Sequence, residues 1–245
     1  MSVVVITGGS RGIGRATAIG AAARGWNVAF SYVSDESAAR LTRDAVVAAG
    51  VRCEILRGDA RDENHVSALF DLAADLGPVD KCVVNAGVID QSGPLADMTA
   101  ARISRIVDVN VTGALITARE AARRMPTERG GAGGAIVLLS SAAARLGGGN
   151  MFVDYAATKG AMDTLTKGLS LELAPSVRVN AVRPGIIDTT MHADAGIADR
   201  VATQGPDQPL GRAGSAEETA AAILWLLSDE ASYVTGTHVD VAGGR

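Results

Sequence analysis

Short apolar runs alternate with longer amphipathic segments along the whole chain. The short runs are rich in β-branched residues and predict seven strands. These strands span Val3–Ile6, Asn27–Tyr32, Arg52–Leu56, Lys81–Val84, Ala135–Leu139, Val177–Val182 and His238–Val241. The longer, alanine-rich segments predict helices over Ile13–Arg24, Glu36–Ala49, Glu63–Leu76, Ala100–Arg124, Tyr155–Leu173 and Ala216–Leu227. Because strand and helix alternate throughout, we predict an α/β protein with one doubly wound, parallel, seven-stranded sheet.

Composition narrows the range of partners. The 245 residues carry 27 acidic and 23 basic side chains, a net charge of −4, which offers no basic surface to nucleic acid. No apolar run approaches the roughly 20 residues that cross a bilayer, and no basic segment precedes an apolar one, so we expect a cytoplasmic protein without a membrane partner. Cys53 and Cys82 lie alone in predicted strands, which predicts neither a disulfide nor a metal site.

The stretch from 189 to 214 interrupts the alternation. It is long, contains Pro206 and Pro209, and follows the C-terminal end of a predicted strand. Since ligands bind outside those ends in open α/β sheets, we predict a substrate lid at 189–214 within one domain spanning 1–245. The alternative is an irregular surface connection.

A glycine-rich turn joins the first strand to the first helix. Gly8 permits a sharp turn, Gly12 lets backbone amides approach a pyrophosphate, and Gly14 lets the helix lie close to the sheet. Strand, turn and helix in this order predict a Rossmann-type dinucleotide site. Its candidate contacts are Gly8, Ser10, Arg11, Gly12, Ile13 and Gly14.

The end of the second strand bears on which dinucleotide binds. An acidic side chain there accepts hydrogen bonds from the adenosine ribose and repels a 2′-phosphate. The residue at that position is Tyr32, and both Arg11 and Ser34 offer donors to a 2′-phosphate. We therefore predict NADP, with NAD as the alternative because Asp35 and Glu36 follow closely.

Tyr155 and Lys159 lie four residues apart on one predicted helix and share a face. A free phenol has a pKa near 10 and transfers protons poorly at neutral pH. An ammonium group, together with the positive ring of an oxidised nicotinamide, would lower that pKa. The pair predicts a general acid/base for a carbinol oxygen; the alternative is a surface tyrosine and a solvated lysine. Asp154, just before Tyr155, is expected to favour the helix dipole.

Polar residues follow two further strands at the same sheet edge. Asn85-Ala86-Gly87 follows the strand that ends at Val84, and Ser140-Ser141 follows the strand that ends at Leu139. The C-terminal ends of parallel strands meet at one edge, so these residues are expected near the glycine turn. There the Ser141 hydroxyl could hydrogen-bond a substrate oxygen.

These motifs make the whole chain resemble the short-chain dehydrogenase/reductase family. The resemblance is carried by TGGSRGIG at 7–14, NAG at 85–87, SS at 140–141, YAATK at 155–159 and PGIIDT at 184–189. It implies an active-site tetrad of Asn110, Ser141, Tyr155 and Lys159. In the family the serine orients the substrate oxygen, the tyrosine is acid and base, the lysine also holds the nicotinamide ribose, and the asparagine supports a relay water.

The resemblance also implies cofactor contacts and self-association. Asp59 and Ala60 are assigned to the adenine, and Ile187 with Thr189 to the nicotinamide carboxamide. The remaining cofactor residues implied are Asn85, Ala86, Gly87, Tyr155, Lys159, Pro184 and Gly185. A homotetramer or homodimer is expected, with the small residues beside Tyr155 and Lys159 facing a second subunit.

The serine position departs from the family's spacing. Counting back the usual thirteen positions from Tyr155 reaches Ala142, which has no hydroxyl. Aligning the strand that ends at Leu139 instead places Ser141 correctly and leaves one extra residue in the loop 145–150. We prefer Ser141 to Ser140, since loops absorb insertions more readily than strands.

The sequence thus predicts an NADP-dependent oxidoreductase that interconverts an alcohol and a ketone on a small-molecule substrate. The family members it resembles most are the 3-oxoacyl acyl-carrier-protein reductases and the glucose dehydrogenases. One alternative is an NAD-dependent dehydrogenase of the same family. Another is a non-catalytic dinucleotide-binding sensor, which would have no need for Ser141, Tyr155 and Lys159 together.

Overall fold

Seven parallel strands form one sheet in the order β3-β2-β1-β4-β5-β6-β7 in the computed structural model, which describes residues 1–245. The strands are β1 Val3–Ile6, β2 Asn27–Tyr32, β3 Cys53–Arg57, β4 Val79–Val84, β5 Gly134–Leu139, β6 Val177–Pro184 and β7 His238–Val241. The predicted doubly wound sheet is confirmed. The largest differences are at β4, which begins two residues earlier than predicted, and β6, which ends two residues later.

Helices cover both faces of the sheet. They are α1 Gly12–Ala23, α2 Glu36–Ala48, α3 Glu63–Leu76, α4 Ala100–Val107, α5 Gly113–Arg124, α6 Ala143–Leu146, α7 Val153–Glu172, α8 Met191–Asp194, α9 Arg200–Gln204 and α10 Ala216–Leu227. A capping box begins α10, because Ser215 and Glu218 each accept a hydrogen bond from the other's backbone N–H. None of the helices has both the length and the apolar character needed to span a membrane.

The core consists of one apolar layer on each face of the sheet. Side chains alternate along a strand, so Val3 and Val5 pack with α3, α5 and α7, while Val4 and Ile6 pack with α1, α2 and α10. All four β1 side chains are fully buried. Burial on both faces explains why the strands are continuously apolar rather than alternating.

The prediction of one continuous helix over Ala100–Arg124 is wrong. A π-helical turn at Asp108–Thr112 separates α4 from α5. At its centre the Asn110 side chain is tied to the backbone of Val88: Nδ2 donates to the carbonyl and Oδ1 accepts from the N–H. These long-range bonds hold Asn110 at the widened turn, a feature often found at functional sites.

The segment 189–214 leaves the sheet edge and returns to it. Its base is closed because Asp188 N–H donates to the Gly214 carbonyl and Gly214 N–H donates to the Ile186 carbonyl, at 2.8 and 2.9 Å. Between these points the chain forms α8 and α9. The segment is therefore a closed excursion with two short helices over the C-terminal edge of the sheet.

Candidate functional site

The predicted site residues meet where the sheet's winding reverses, between β1 and β4. These two strands pair although they are not consecutive in the chain. In doubly wound sheets the crevice outside the strand ends at this point is the usual ligand site. The glycine turn follows β1 and Asn85-Ala86-Gly87 follows β4, so both predicted motifs lie at this crevice.

The backbone of the glycine turn fits a pyrophosphate. Gly8 and Gly12 have φ of 73° and 52°, which non-glycine residues rarely adopt. A Cβ on Gly14 would lie 2.1 Å from the Gly8 carbonyl oxygen, so only glycine lets α1 start this close to the turn. The N–H groups of Gly12, Ile13 and Gly14 donate to no protein acceptor, and the first turn of α1 has no acidic residue. Free amides at a helix start suit a bound anion.

Two side chains clamp the turn against β4. The Thr7 hydroxyl accepts from the N–H groups of Asn85 and Ala86, and the Asn85 amide donates to the carbonyls of Thr7 and Gly8 at 2.8 and 2.9 Å. Asn85 therefore fixes the conformation of the glycine turn by hydrogen bonds to the turn's own carbonyls. The role of Thr7 was missed in the sequence, although its position at the end of β1 was a signal.

At the end of β2 the acidic side chains are engaged elsewhere. Tyr32 is the last strand residue and is buried. Asp35 caps α2 by accepting from the Ala38 N–H, and Glu36 pairs with Arg40 one turn along the helix. Ser34 is exposed beside them. No carboxylate therefore occupies the strand end itself.

Arg11 reaches across to the 189–214 segment. Its guanidinium forms an ion pair with Asp194 of α8 at 2.8 Å and donates to the Thr190 hydroxyl at 3.4 Å. Both partners of the ion pair are about half exposed, so the pair is a weak one. The structure thus links the glycine turn to the predicted lid.

The other predicted cofactor residues line the same edge at different depths. Ala60 is buried, and the Asp59 carboxylate accepts from Arg61, which lowers its pKa. Thr189 lies against Gly12, with 3.4 Å between its Cγ2 and a Cβ placed there. Pro184 ends β6 beside β7, and Gly185 follows it, where an added Cβ would clash with Ala242. Ile187 is buried and its carbonyl contacts the His192 ring at 2.9 Å.

Asn110, Lys159 and Gly87 converge on one point. A Cβ on Gly87 would lie 3.3 Å from Asn110 Oδ1 and 3.6 Å from Lys159 Nζ. Lys159 Nζ donates to the Leu139 carbonyl at 2.6 Å and lies 5.5 Å from the centroid of the Tyr155 ring. Asn110 also donates to the Thr158 hydroxyl at 3.2 Å. The Asn110 and Lys159 side chains thus lie together beside Gly87.

In the protein alone, burial outweighs the groups that lower the pKa of Tyr155. Burial raises the pKa of Tyr155 to about 12, although a hydrogen bond with Ser141 and the charge of Arg200 act in the opposite direction. Burial also lowers the pKa of Lys159 to about 8, against the effect of the Asp163 carboxylate. At neutral pH both side chains therefore carry their protons.

The two adjacent serines have different surroundings. Ser140 is buried and donates to Asp163 Oδ1 at 2.7 Å, deep beneath the site. Ser141 is partly exposed, its hydroxyl accepts from the Ala143 N–H at 3.1 Å, and it lies beside the Tyr155 phenol. The geometry supports Ser141, rather than Ser140, as the serine that meets a substrate.

Asp154 forms a buried ion pair in addition to lying at the start of α7. It lies in the first turn of α7 as expected, but its side chain is nearly fully buried in an ion pair with Arg102 of α4, at 2.9 Å. Arg102 also donates to the Gln91 carbonyl. Nothing in the sequence indicated that Arg102, 52 residues away, is the partner of Asp154. No group of His, Cys, Asp and Glu side chains is arranged to hold a metal ion.

Comparison with known proteins identifies relatives over the full length. Residues 8–245 match the family model described as enoyl-(acyl carrier protein) reductase. The chain is 48% identical to the oxidoreductase YgfF of Escherichia coli (strain K12), with full coverage of both chains. It is 40% identical to 3beta-hydroxysteroid dehydrogenase 1 of Eggerthella lenta, covering 98% of this chain and 92% of the relative. It is 39% identical to cis-4-hydroxycyclohexanecarboxylate dehydrogenase of Sinomonas cyclohexanicum, covering 99% and 95%.

Solved structures agree with the fold described above. Levodione reductase superposes with a TM-score of 0.89 at 30% identity, covering 99% of this chain and 96% of that one. A blue fluorescent protein from a metagenomic library, solved in complex with NADPH, superposes with a TM-score of 0.87 at 34% identity, covering 99% and 97%. With the glycine turn, the tyrosine–lysine pair and full-length relatives in agreement, the chain belongs to the short-chain dehydrogenase/reductase family and is an NAD(P)-binding oxidoreductase of alcohols and ketones.

Proposed function

We propose that the protein is an NADP-dependent oxidoreductase that interconverts a secondary alcohol and a ketone, with Tyr155 as general acid and base. The observation that carries the proposal is the buried Tyr155 phenol beside Ser141 and Lys159, at the same sheet edge as the glycine turn. A bound nicotinamide supplies the hydride in reduction and accepts it in oxidation.

The protonation states favour ketone reduction at neutral pH. With its pKa raised to about 12, the Tyr155 phenol is protonated and can donate its proton to the ketone oxygen as that oxygen gains charge. The Ser141 hydroxyl would orient the same oxygen. Lys159, held by the Leu139 carbonyl, and Asn110 beside it would return a proton to Tyr155 through water.

Three observations support NADP over NAD. Tyr32 stands where an acidic residue would repel a 2′-phosphate, and Asp35 and Glu36 are held by α2 contacts. Arg11 is bound by a weak, exposed ion pair and one long hydrogen bond to Thr190, which a doubly charged phosphate could replace. One structural relative was solved with NADPH bound.

The segment 189–214 is proposed as a lid, and the chain as a subunit of a homodimer or homotetramer. Met191, Ala195 and Ile197 of the segment pack into the apolar cluster that contains Tyr155. On α7, Gly160 has open space around it, and Leu171 is 70% exposed, which leaves that helix available to a second copy. Both cysteines are free and buried, in keeping with our proposal of a cytoplasmic enzyme.

The decisive experiment is turnover of NADPH and of NADH with a panel of ketones. Two of the relatives named above are, by name, dehydrogenases of ring alcohols, so cyclic ketones and 3-oxosteroids head the panel. We expect NADPH oxidation by the wild type and loss of activity by at least about 10³-fold in Tyr155→Phe. NADPH binding without turnover of any member would favour the dinucleotide-binding sensor instead.

A further inference from the structure

A small apolar cluster lies directly beside Tyr155. Its buried members are Ile89, Phe152, Tyr155 and Ala195, and Ala143, Met151, Met191 and Ile197 pack around them. In this cluster, residues at the start of α7 pack against residues of the 189–214 segment. It therefore forms an apolar surface next to the phenol, where the carbon skeleton of a substrate would lie.

One cation lies at the edge of this cluster. The Arg200 guanidinium of α9 stacks on the Phe152 ring at 5.5 Å from its centroid, and the side chain is partly buried. Its charge is close enough to lower the pKa of Tyr155. Arg200 is thus within electrostatic range of the phenol and in contact with an aromatic ring of the same cluster.

Arg200 has no anionic partner. Two other partly buried arginines form ion pairs, Arg102 with Asp154 and Arg183 with Asp163. A third, Arg178, has its Nη groups occupied by backbone carbonyls. Arg200 forms no ion pair, and its one side-chain hydrogen bond runs from Nε to Gln204 Oε1 at 3.2 Å. The two Nη groups donate to no protein atom. A guanidinium in this position retains the paired donors that bind a carboxylate in two-point fashion.

The surroundings of Arg200 increase its excess of positive charge. Burial and the nearby charge of Arg245 both lower the pKa of Arg200, which starts so high that the group stays charged at neutral pH. Of the carboxylates on the segment, Asp194 pairs with Arg11, and Asp199 lies next to Arg200 in the chain without forming an ion pair with it. Arg145 pairs with Asp240 and donates to the Arg245 backbone oxygen. Arg200 is therefore the cation at this cluster that has no ion-pair partner.

We propose that Arg200 is a specificity-determining residue that binds a carboxylate on the substrate. This inference rests on the proposed function and deepens it: the substrate would be an oxo acid or hydroxy acid whose apolar middle lies on Phe152. Its carbonyl or hydroxyl would meet Ser141 and Tyr155, while its carboxylate pairs with Arg200. A single guanidinium beside an apolar surface suits a monoanion better than a phosphate, which gains from several cations.

The first test uses substrates that differ only in charge. The probes are 4-oxopentanoate, 5-oxohexanoate and 6-oxoheptanoate, each compared with its methyl ester as a substrate for NADPH-dependent reduction. We expect kcat/KM of the best acid to exceed that of its ester by at least about 10-fold, as charge-assisted hydrogen bonding allows. Ester turnover without any preference for the acid overturns the inference but leaves the proposed function intact. Failure of every probe and every neutral ketone overturns both.

The second test uses Arg200→Gln, with Arg43→Gln on the exposed face of α2 as the matched control. In Arg200→Gln the acid preference should fall to within about 3-fold of unity, mainly through a higher KM for the acid, with the ester as the internal reference. The control should keep the wild-type preference. Equal losses for acids and esters would assign Arg200 a structural role on Phe152 and overturn the inference.

A binding measurement separates recognition from chemistry. Hexanoate and hexanamide, which cannot be reduced, are titrated calorimetrically into wild type and Arg200→Gln. We expect hexanoate to bind the wild type at least about 10-fold more tightly than hexanamide, and the two to bind Arg200→Gln alike. This preference in a protein that turns over no ketone would support the anion site while rejecting the proposed function. Equal binding by the wild type overturns the anion site.

Discussion

Ser140 and Ser141 are adjacent and have the same side chain, yet they lie in different environments. The buried Ser140 hydroxyl donates a hydrogen bond to Asp163, whose carboxylate also forms an ion pair with Arg183. Ser141 stands at the surface of the site beside Tyr155. The strand alignment predicts Ser141 as the serine that meets a substrate, which stays a prediction. The hydrogen bond of Ser140 could not be predicted, because Asp163 is remote in sequence.

Alanine substitution should separate the two serines cleanly. Ser141→Ala removes the donor for the substrate oxygen, so kcat should fall by about 10²-fold to 10³-fold with little change in stability. Ser140→Ala removes a buried hydrogen bond, so the free energy of unfolding should fall by about 1 kcal/mol with kcat nearly unchanged. Steady-state kinetics and urea unfolding of both variants provide the check; a reversed pattern would assign the substrate contact to Ser140.

The protonation state of Tyr155 could not be predicted from the sequence. Its spacing from Lys159 was visible, but burial by the cluster around Phe152 was not, and burial raises the pKa of Tyr155 to about 12. In the free enzyme the phenol should therefore remain almost fully protonated at pH 10, where an ordinary phenol is half ionised.

The tyrosinate absorbance at pH 10 measures this directly. Tyr155→Phe should leave the wild-type signal unchanged, because the phenol that it removes is still protonated at this pH. Since the reductive step needs the phenol and the oxidative step needs the phenolate, oxidation should speed up as pH rises through 8–10. A clear loss of tyrosinate in Tyr155→Phe at pH 10 would contradict the raised pKa.

At the scale of elements, features set by neighbouring residues could be predicted from the sequence. Features set by contacts between distant residues could not. The strands and the α10 cap could be predicted because apolar runs and the Ser215–Glu218 spacing are local. The π-helical turn at Asp108–Thr112 could not, because Asn110 is held there by the backbone of Val88, 22 residues away. The same holds for the link between α4 and α7 through Arg102 and Asp154.

That buried ion pair should stabilise the start of α7 measurably. Asp154→Asn leaves the Arg102 charge buried without a full partner, so the free energy of unfolding should fall by about 3 kcal/mol. Arg102→Met combined with Asp154→Leu should cost less than the sum of the single changes, because the two residues are coupled. Urea unfolding tests both expectations.

The control is the exposed helical pair of Glu36 and Arg40 on α2. Glu36→Gln should cost no more than about 0.5 kcal/mol, since an exposed pair one helical turn apart contributes little. If Asp154→Asn proves no more costly than this control, the pair between α4 and α7 does not hold the two helices together.

At the scale of the whole molecule, an ion pair joins the glycine turn to the 189–214 segment. Arg11 belongs to the first turn of the fold and Asp194 to the excursion at 189–214, yet their side chains form an ion pair. The sequence predicted the turn and the lid separately, and a link between residues 183 positions apart was not visible in it. A 2′-phosphate that takes Arg11 would have to displace Asp194, so cofactor binding and the position of α8 should be coupled.

Two substitutions give opposite predictions for that competition. Arg11→Gln should weaken NADPH binding by about 10-fold to 100-fold and leave NADH binding within about 3-fold, because only the phosphate loses its charged donor. Asp194→Asn should instead tighten NADPH binding by a few-fold, since an exposed ion pair competes with at most about 1 kcal/mol. Fluorescence titration of both nucleotides, with the rise in unfolding temperature at saturation as a second readout, measures these changes. If Asp194→Asn weakens NADPH binding instead, Asp194 helps to hold the cofactor site in shape; if Arg11→Gln affects both nucleotides equally, Arg11 does not recognise the 2′-phosphate.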